Sequence, residues 1–73
     1  MSRFRVTWAR TTRYGTTTYE IDDGYYLVIT DRNGEMTCLD LDGQPVVSRE
    51  TRKDLTGLVQ RVRARGGPVS QIA

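Results

Sequence analysis

Apolar and polar residues alternate along the first half of the chain, with the period of two that is typical of a strand with one buried face. In the first run, Phe4, Val6 and Trp8 fall on the same face. In the second run, Tyr19 and Ile21 share a face in the same way. The pattern predicts four strands, over residues 3–8, 16–21, 25–30 and 35–41, and glycine-containing turns separate the last three.

Turn length sets the register of the strands, because a slip of one residue moves every side chain to the other face. A three-residue loop around Asn33 pairs Leu27 with Leu39, whereas a two-residue loop would split the apolar residues between the faces. The same test on the turn that contains Gly24 pairs Tyr19 with Leu27, with the glycine at positive φ. The predicted inner face, turned towards the core, holds Phe4, Trp8, Tyr19, Leu27 and Leu39.

The second half of the chain predicts one amphipathic helix. Its apolar residues recur at i, i+3, i+4 and i+7 and form one stripe of Leu55, Leu58, Val59 and Val62. Ser48 or Thr51 would cap the N-terminus, and Gly66 would end the helix. Gly57 weakens a helix by roughly 1 kcal/mol relative to Ala, so we expect it to let the helix approach the sheet closely.

Together these elements predict an α+β fold, an antiparallel four-stranded β-meander packed against one C-terminal α-helix. Residues 1–66 would form a single sheet-and-helix domain, and residues 67–73 a mobile C-terminal tail. With 73 residues, the chain has room for one small core and no deep active site. The single cysteine and the lack of an apolar run of ~20 residues favour a soluble, cytoplasmic protein without a membrane segment.

Catalytic chemistry finds little support in the sequence. The chain has no histidine, so its one cysteine, Cys38, has no imidazole to activate it. Paired acids occur at Asp22-Asp23 and at Asp40/Asp42, but turns favour aspartate at both places. The second pair also lacks the closing glutamate of a calcium loop. We therefore expect a protein that is not an enzyme, with no cofactor and no metal, in which Cys38 is an inert side chain.

Charge is segregated along the chain. Residues 1–19 carry a net charge of +4, residues 20–42 carry −6 and residues 43–73 carry +4, within an overall charge of +2. Fields of this kind mainly steer the encounter with a partner and select its orientation. The pattern indicates a molecule that recognises a charged surface.

Two surfaces are candidate binding sites. The first interstrand loop places Arg10 and Arg13 beside Tyr14, a combination able to clamp a phosphate or an acidic protein surface; the alternative is a solvated loop. The other candidate is the outer sheet face, which would show apolar residues rimmed by arginine, a pattern typical of protein recognition unless the C-terminal tail covers it. The predicted contacts on that face are Arg3, Arg5, Tyr26, Val28 and Met36.

Two classes of function fit these features. One is a protein-binding regulator that contacts a larger assembly through the outer face, an edge strand or the arginine loop. The other is a small DNA-binding module, since a sheet with one backing helix is similar in outline to AP2-type and integrase N-terminal domains, with Arg3 and Arg5 as basic strand positions. Acids between residues 20 and 42 would repel phosphates near that sheet, which favours the first class and little direct nucleic-acid binding.

The whole chain resembles the small phage-encoded regulators of the Xanthomonas phage type, which bind bacterial RNA polymerase. The resemblance lies in its length, its many arginines, and its lack of histidine and of a set of catalytic residues. The resemblance covers residues 1–73 and rests on size and composition, so no residue role is carried over. It implies a protein that binds RNA polymerase in the host cytoplasm. There it would inhibit transcription initiation and act as an antiterminator. We expect a monomer when the protein is free.

Overall fold

The computed structural model describes residues 3–66 and the backbone of residues 70–72. In chain order, its regular elements are β1 (Val6–Thr11), β2 (Thr17–Ile21), β3 (Tyr26–Thr30), β4 (Met36–Asp40), α1 (Arg49–Ala64) and β5 (Ser70–Ile72). The strands form one sheet in the order β4-β3-β2-β1-β5. The first four strands pair antiparallel in sequence order, so the predicted meander with one C-terminal helix is confirmed.

The C-terminal strand β5 adds an element that the sequence pattern did not predict. It pairs parallel to β1, with Ala9 opposite Ser70 and Thr11 opposite Ile72. Of the predicted tail, residues 67–69 and 73 lie outside the described residues, and the mobility of the tail stays a prediction. Because β5 extends the sheet beyond β1, β4 forms the opposite edge.

Three loops in the described part of the chain share one construction, over residues 12–16, 31–35 and 40–44. In each loop, the side-chain oxygen of the first residue accepts hydrogen bonds from the backbone N–H groups two and four residues later. The fourth residue is a glycine with φ of 86°, 86° and 78° in turn, a conformation that costs other residues more. The predicted loop around Asn33 and its pairing of Leu27 with Leu39 are confirmed.

The connection between β2 and β3 differs from its predicted form. It contains the short 3₁₀ turn Asp22–Gly24, in which all three residues have positive φ. The connection is one residue longer than predicted, and Tyr19 lies opposite Val28 rather than Leu27. The predicted pairing is therefore wrong by one residue, which exchanges the two faces of β3 and β4 relative to β2.

A bulge in β1 also changes which side chains reach the core. Val6 lies opposite Ile21, but Trp8 lies opposite Glu20, so two residues of β1 span one step of β2. The Thr7 hydroxyl donates to the Glu20 carbonyl at 3.2 Å and accepts from the Asp23 N–H at 2.9 Å, which holds the irregular backbone. After the bulge, Ala9 points to the core in place of Trp8, and the prediction that Trp8 is a core residue is wrong.

The core lies between one face of the sheet and α1, and we call that face the inner face. Its buried apolar residues are Ala9, Tyr19, Ile21, Val28, Cys38, Val46, Leu55 and Val59. The predicted helix stripe is confirmed, because Leu58 and Val62 pack against the same cluster. Ser48 caps the helix by accepting from the Thr51 N–H at 3.2 Å, and Gly66 follows its end at a φ of 93°.

Gly57 does not have the role predicted for it. A Cβ at this position would meet the Arg61 Nη1 at 3.4 Å, and among the described residues no sheet atom would lie within 4 Å. The expected close approach of helix and sheet at this glycine is therefore wrong. The fully buried residues of α1 lie two positions on either side, at Leu55 and Val59.

Candidate functional site

The sheet face turned away from α1, called the outer face from here on, carries two rows of side chains. The strand registers place Trp8, Glu20, Leu27 and Leu39 side by side in the first row. They place Arg10, Thr18, Ile29 and Thr37 in the second row. Directly opposed residues share a face, so each row crosses four strands on one surface.

The first row gives the outer face its apolar character. Trp8, Leu27 and Leu39 are partly exposed and do not belong to the core cluster. Ile29 of the second row is also partly exposed and outside that cluster. Within the described residues α1 is the one helix, and it covers the opposite face. The result is an aromatic and three aliphatic side chains on an uncovered sheet surface with one arginine and one glutamate, a composition typical of protein-recognition surfaces.

The apolar patch that the sequence predicted for the outer face lies on the other side of the sheet. Val28 is 0% exposed in the core, and Met36 packs against that core. Tyr26 also packs there, with its ring edge-on to Phe4 at 5.3 Å between centroids. The prediction that Tyr26, Val28 and Met36 form an exposed surface is wrong, because the connection between β2 and β3 is one residue longer than expected. Val28 is buried in one core cluster with Leu55 and Val59 of α1.

The predicted arginine loop lies at one end of the sheet and is exposed. The Arg13 guanidinium lies 5.4 Å from the centroid of the Tyr14 ring, and that ring is 72% exposed. At Gly15 the loop meets the neighbouring 31–35 loop, since a Cβ there would lie 3.1 Å from the Arg32 Cβ. Arg10, two residues before the loop, is exposed on the outer face. The fold therefore places Arg32 beside the arginine loop. This contact between two loops has no local signal in the sequence.

Arg3 and Arg5 lie near the start of β1, away from the arginine loop. The Arg3 guanidinium carbon lies over the Phe4 ring, 4.8 Å from its centroid. The backbone N–H of Arg5 donates to the Asp22 carboxylate at 2.9 Å. The distance along β1 from Arg5 to Arg10 is roughly 17 Å at the rise of an extended strand. The predicted arginines therefore form two separate groups rather than one continuous basic strip.

Asp31 and Asp40 stabilise their loops, and Cys38 is buried in the core. Asp31 and Asp40 each accept two backbone hydrogen bonds at 2.9 Å within their loops, as turn chemistry predicts. Burial raises the pKa of the Cys38 thiol, an effect that nearby Arg52 partly offsets, so the thiol is a weak nucleophile at neutral pH. Across the part of the chain that the structure describes, no group of three or more His, Cys, Asp or Glu residues is placed to hold a metal ion.

A groove runs between the β4 edge and the first half of α1. Its floor is formed by Met36, Cys38 and Val46, and its rim carries the cations Arg49, Arg52 and Lys53 and one acid, Glu50. No local sequence pattern indicates this groove, because its walls come from three separate segments. We call it the β4 groove.

None of the helical segments in the described residues combines the length and the apolarity needed to cross a bilayer. Comparison of the chain with protein-family models, with curated proteins and with solved structures finds no match. The surfaces of the molecule are therefore the basis for inferring its function.

Proposed function

We propose that this protein is a non-enzymatic, protein-binding regulator that docks through its outer face, with Trp8 as the central anchor. The observation that carries the proposal is the partly exposed apolar row of Trp8, Leu27 and Leu39 on a sheet face that α1 does not cover. Tryptophan is among the residues most enriched at the energetic centres of protein interfaces. Burying this row against a partner would remove apolar surface from water without requiring the chain to unfold.

The proposed partner is bacterial RNA polymerase, to which the protein would bind as a monomer in the host cytoplasm. Support for this partner comes from the resemblance in length and composition to small phage-encoded polymerase-binding regulators. Inhibition of initiation and antitermination are the corresponding proposed activities. Arg10, Arg13 and Tyr14 lie beside the outer face and would steer the protein towards an acidic patch near the docking site.

The alternative, a DNA-binding module that uses the sheet face, receives less support from the geometry. Each of the two rows on the outer face contains one charged residue, and the two charges are opposite: Glu20 in the first row and Arg10 in the second. A protein that tracks a duplex needs several cations aligned with the phosphates. Arg3 and Arg5 lie at the far end of β1 from that arginine, so the basic groups are divided.

The experiment compares binding of purified bacterial RNA polymerase to wild type and to Trp8→Ala. We expect Trp8→Ala to weaken binding at least about tenfold, the effect of losing an interface anchor. Tyr25→Ala is the matched control, because Tyr25 is an exposed aromatic residue outside both rows of the outer face, with 62% of its surface accessible. Circular dichroism would establish that both variants keep the fold. Equal affinity of folded Trp8→Ala and wild type would refute the proposed docking face.

A duplex-binding titration separates the two classes of function. We expect affinity on the order of 10⁻⁴ M at physiological salt, the range of nonspecific electrostatic binding. Submicromolar, sequence-selective binding of a duplex by the isolated chain would instead favour the DNA-binding alternative. If polymerase fails to bind and the duplex binds only weakly, the choice of polymerase as partner is wrong.

A further inference from the structure

We propose that the β4 groove binds a short acidic segment of another protein, in which one aromatic residue is the anchor. The aromatic side chain would lie on the floor of the groove, and the acidic residues on either side of it would pair with the cations of α1. None of the side chains that this proposal uses belongs to the outer face. Its success or failure can therefore be distinguished from that of the proposed polymerase docking.

One side of the groove is built by residues 44–46, which lie along the edge of β4 and close it. The Val46 N–H donates to the Cys38 carbonyl at 3.0 Å, and the Asp40 N–H donates to the Gln44 carbonyl at 2.8 Å. These bonds fix the segment that carries Val46, a buried residue of the core cluster. The groove is therefore formed before any ligand arrives, and side chains rather than strand pairing would hold the ligand.

The floor of the groove is apolar, and its most accessible member is a methionine. Cys38 and Val46 are buried, whereas Met36 is half-buried and packs against the core from the groove. A methionine side chain adapts its shape to a bound group, and its sulfur makes favourable contacts with aromatic rings. The guanidinium groups at the rim can also lie against the face of a ring. Both properties favour an aromatic anchor.

The rim of the groove carries positive charge that the chain does not neutralise. Arg49, Arg52 and Lys53 line it with a single acid, Glu50. Within the described residues, the side chains of these three cations form neither ion pairs nor hydrogen bonds. Burial raises the pKa of the Cys38 thiol and the charge of Arg52 partly offsets that rise, so this charge acts on the floor of the groove. Carboxylates of a ligand would meet these cations without competition from the chain.

The length of the rim limits the segment to a few residues. α1 lines the groove from Arg49 to Thr56, which is about 10 Å at the helical rise of about 1.5 Å per residue. An extended chain covers that distance in about three residues. The shortest matching segment is therefore one aromatic residue with an acid on each side. No aromatic residue of this chain has an acid on both sides, so the occupant is another protein and not a second copy.

The probe is the peptide acetyl-Gly-Asp-Glu-Phe-Glu-Asp-Gly-amide, titrated into the full chain and followed by NMR of isotope-labelled methionine methyl groups. We expect a dissociation constant on the order of 10⁻⁴ M, because exposed ion pairs contribute little each and one anchor supplies the rest. The phenylalanine ring should shift the Met36 methyl signal.

Two altered peptides test the anchor and the charge without changing the protein. Alanine in place of phenylalanine should weaken binding at least about tenfold, the effect of losing an anchor. Lysine in place of all four acids should abolish binding, because like charges repel at the rim. Equal affinity of the phenylalanine and alanine peptides, binding of the lysine peptide, or no binding of the original peptide would each overturn the proposal.

Two double variants, both checked for the fold by circular dichroism, test the basic rim. Arg52→Gln with Lys53→Gln should weaken peptide binding about five- to tenfold, within what two exposed ion pairs supply. Arg61→Gln with Arg65→Gln removes the same charge from exposed positions at the other end of α1 and should leave binding within about twofold. An equal effect of the two pairs would indicate nonspecific attraction and would overturn the site.

A gain in affinity is expected when the single acid of the rim is removed. Glu50→Gln should tighten binding about two- to threefold, a change that a damaged fold could not produce. Glu20→Gln removes the same charge from the outer face and should leave the affinity almost unchanged. Equal tightening by both variants would show that net charge alone attracts the peptide. A Met36 methyl signal that shifts with protein concentration alone would mean that a second copy occupies the groove, and the proposal would be wrong.

Discussion

The two faces of the sheet differ in what contacts them rather than in how apolar they are. On the inner face, Ile21 and Val28 are fully buried in one cluster with Leu55 and Val59 of α1. On the outer face, Trp8 and its aliphatic neighbours stay partly exposed. Full burial of an aliphatic side chain contributes about 1.5–3 kcal/mol, so the inner face supplies most of the stability. The outer face retains apolar surface that a partner can cover.

The largest expected difference between the faces is in how much the free energy of unfolding falls when an apolar side chain is replaced by alanine. Ile21→Ala should lower the free energy of unfolding by about 2–5 kcal/mol, because it leaves a cavity in the core. Leu27→Ala, on the outer face, should cost less than half as much. Urea unfolding of both variants measures the difference. Equal losses would mean that the outer face is as tightly packed as the core.

A smaller effect is expected at the bulge that turns Trp8 to the outer face. Thr7→Val keeps the shape of the side chain but removes its hydrogen bonds to Glu20 and Asp23, and should cost about 1 kcal/mol. Thr37→Val is the control, since Thr37 is an exposed residue of β4, and should stay within about 0.5 kcal/mol of wild type. If Thr7→Val unfolds like wild type, these bonds do not stabilise the bulge.

Gly57→Ala should stabilise the protein by up to roughly 1 kcal/mol, the difference in helix propensity. The added methyl group would meet only the end of the flexible Arg61 side chain, at ordinary contact distance. A rise in melting temperature checks this expectation. A fall would mean that the helix does approach another surface closely at this position.

The smallest expected effect is a loss of stability at alkaline pH, from the inner face alone. Burial raises the pKa of Tyr19 and of Cys38 above their usual values of 10.0 and 9.0. Above those values the unfolded chain releases protons that the folded chain retains, so the free energy of unfolding falls as pH rises towards the folded pKa values. Urea midpoints from about pH 7 to about pH 11 measure this. Cys38→Ala should reduce the loss, and a protein that gains stability in this range would contradict it.

Strand β3 shows why the faces could not be assigned from the sequence. Tyr26 and Val28 point inward while Leu27 and Ile29 point outward, so both phases of this strand are apolar. Alternation therefore cannot choose between them. The choice is made by the connection between β2 and β3, whose positive φ values at Asp22 and Asp23 add one residue to the loop. Non-glycine residues seldom adopt this conformation. Aspartate does so more often than most, but the Asp22-Asp23 pair does not by itself fix the length of the connection.

The sequence predicted the arginine loop, the outer face and the β4 groove to different extents. The exposed Arg13 and Tyr14 follow from their place in a loop whose Thr12 and Gly15 fix its geometry. The apolar outer face was expected as a feature, but its predicted members were the wrong ones. The β4 groove was not predictable, because it depends on where α1 lies relative to the β4 edge.

By itself, the sequence determined the number of meander strands, the glycine-closed loop around Asn33 and the helix with its Ser48 cap and apolar stripe. These features depend on hydrogen bonds and periodicities within a few residues, which a short segment specifies locally. Tertiary structure alone decided which sheet face α1 covers, where Trp8 points, and that β5 pairs with β1. The pairing of β5 with β1 depends on contacts between distant parts of the chain. The first two outcomes depend on whether the connection between β2 and β3, and the bulge in β1, add an odd or an even number of residues. A change of one residue in either reverses a whole face at little local cost, so only packing of the complete chain selects between them.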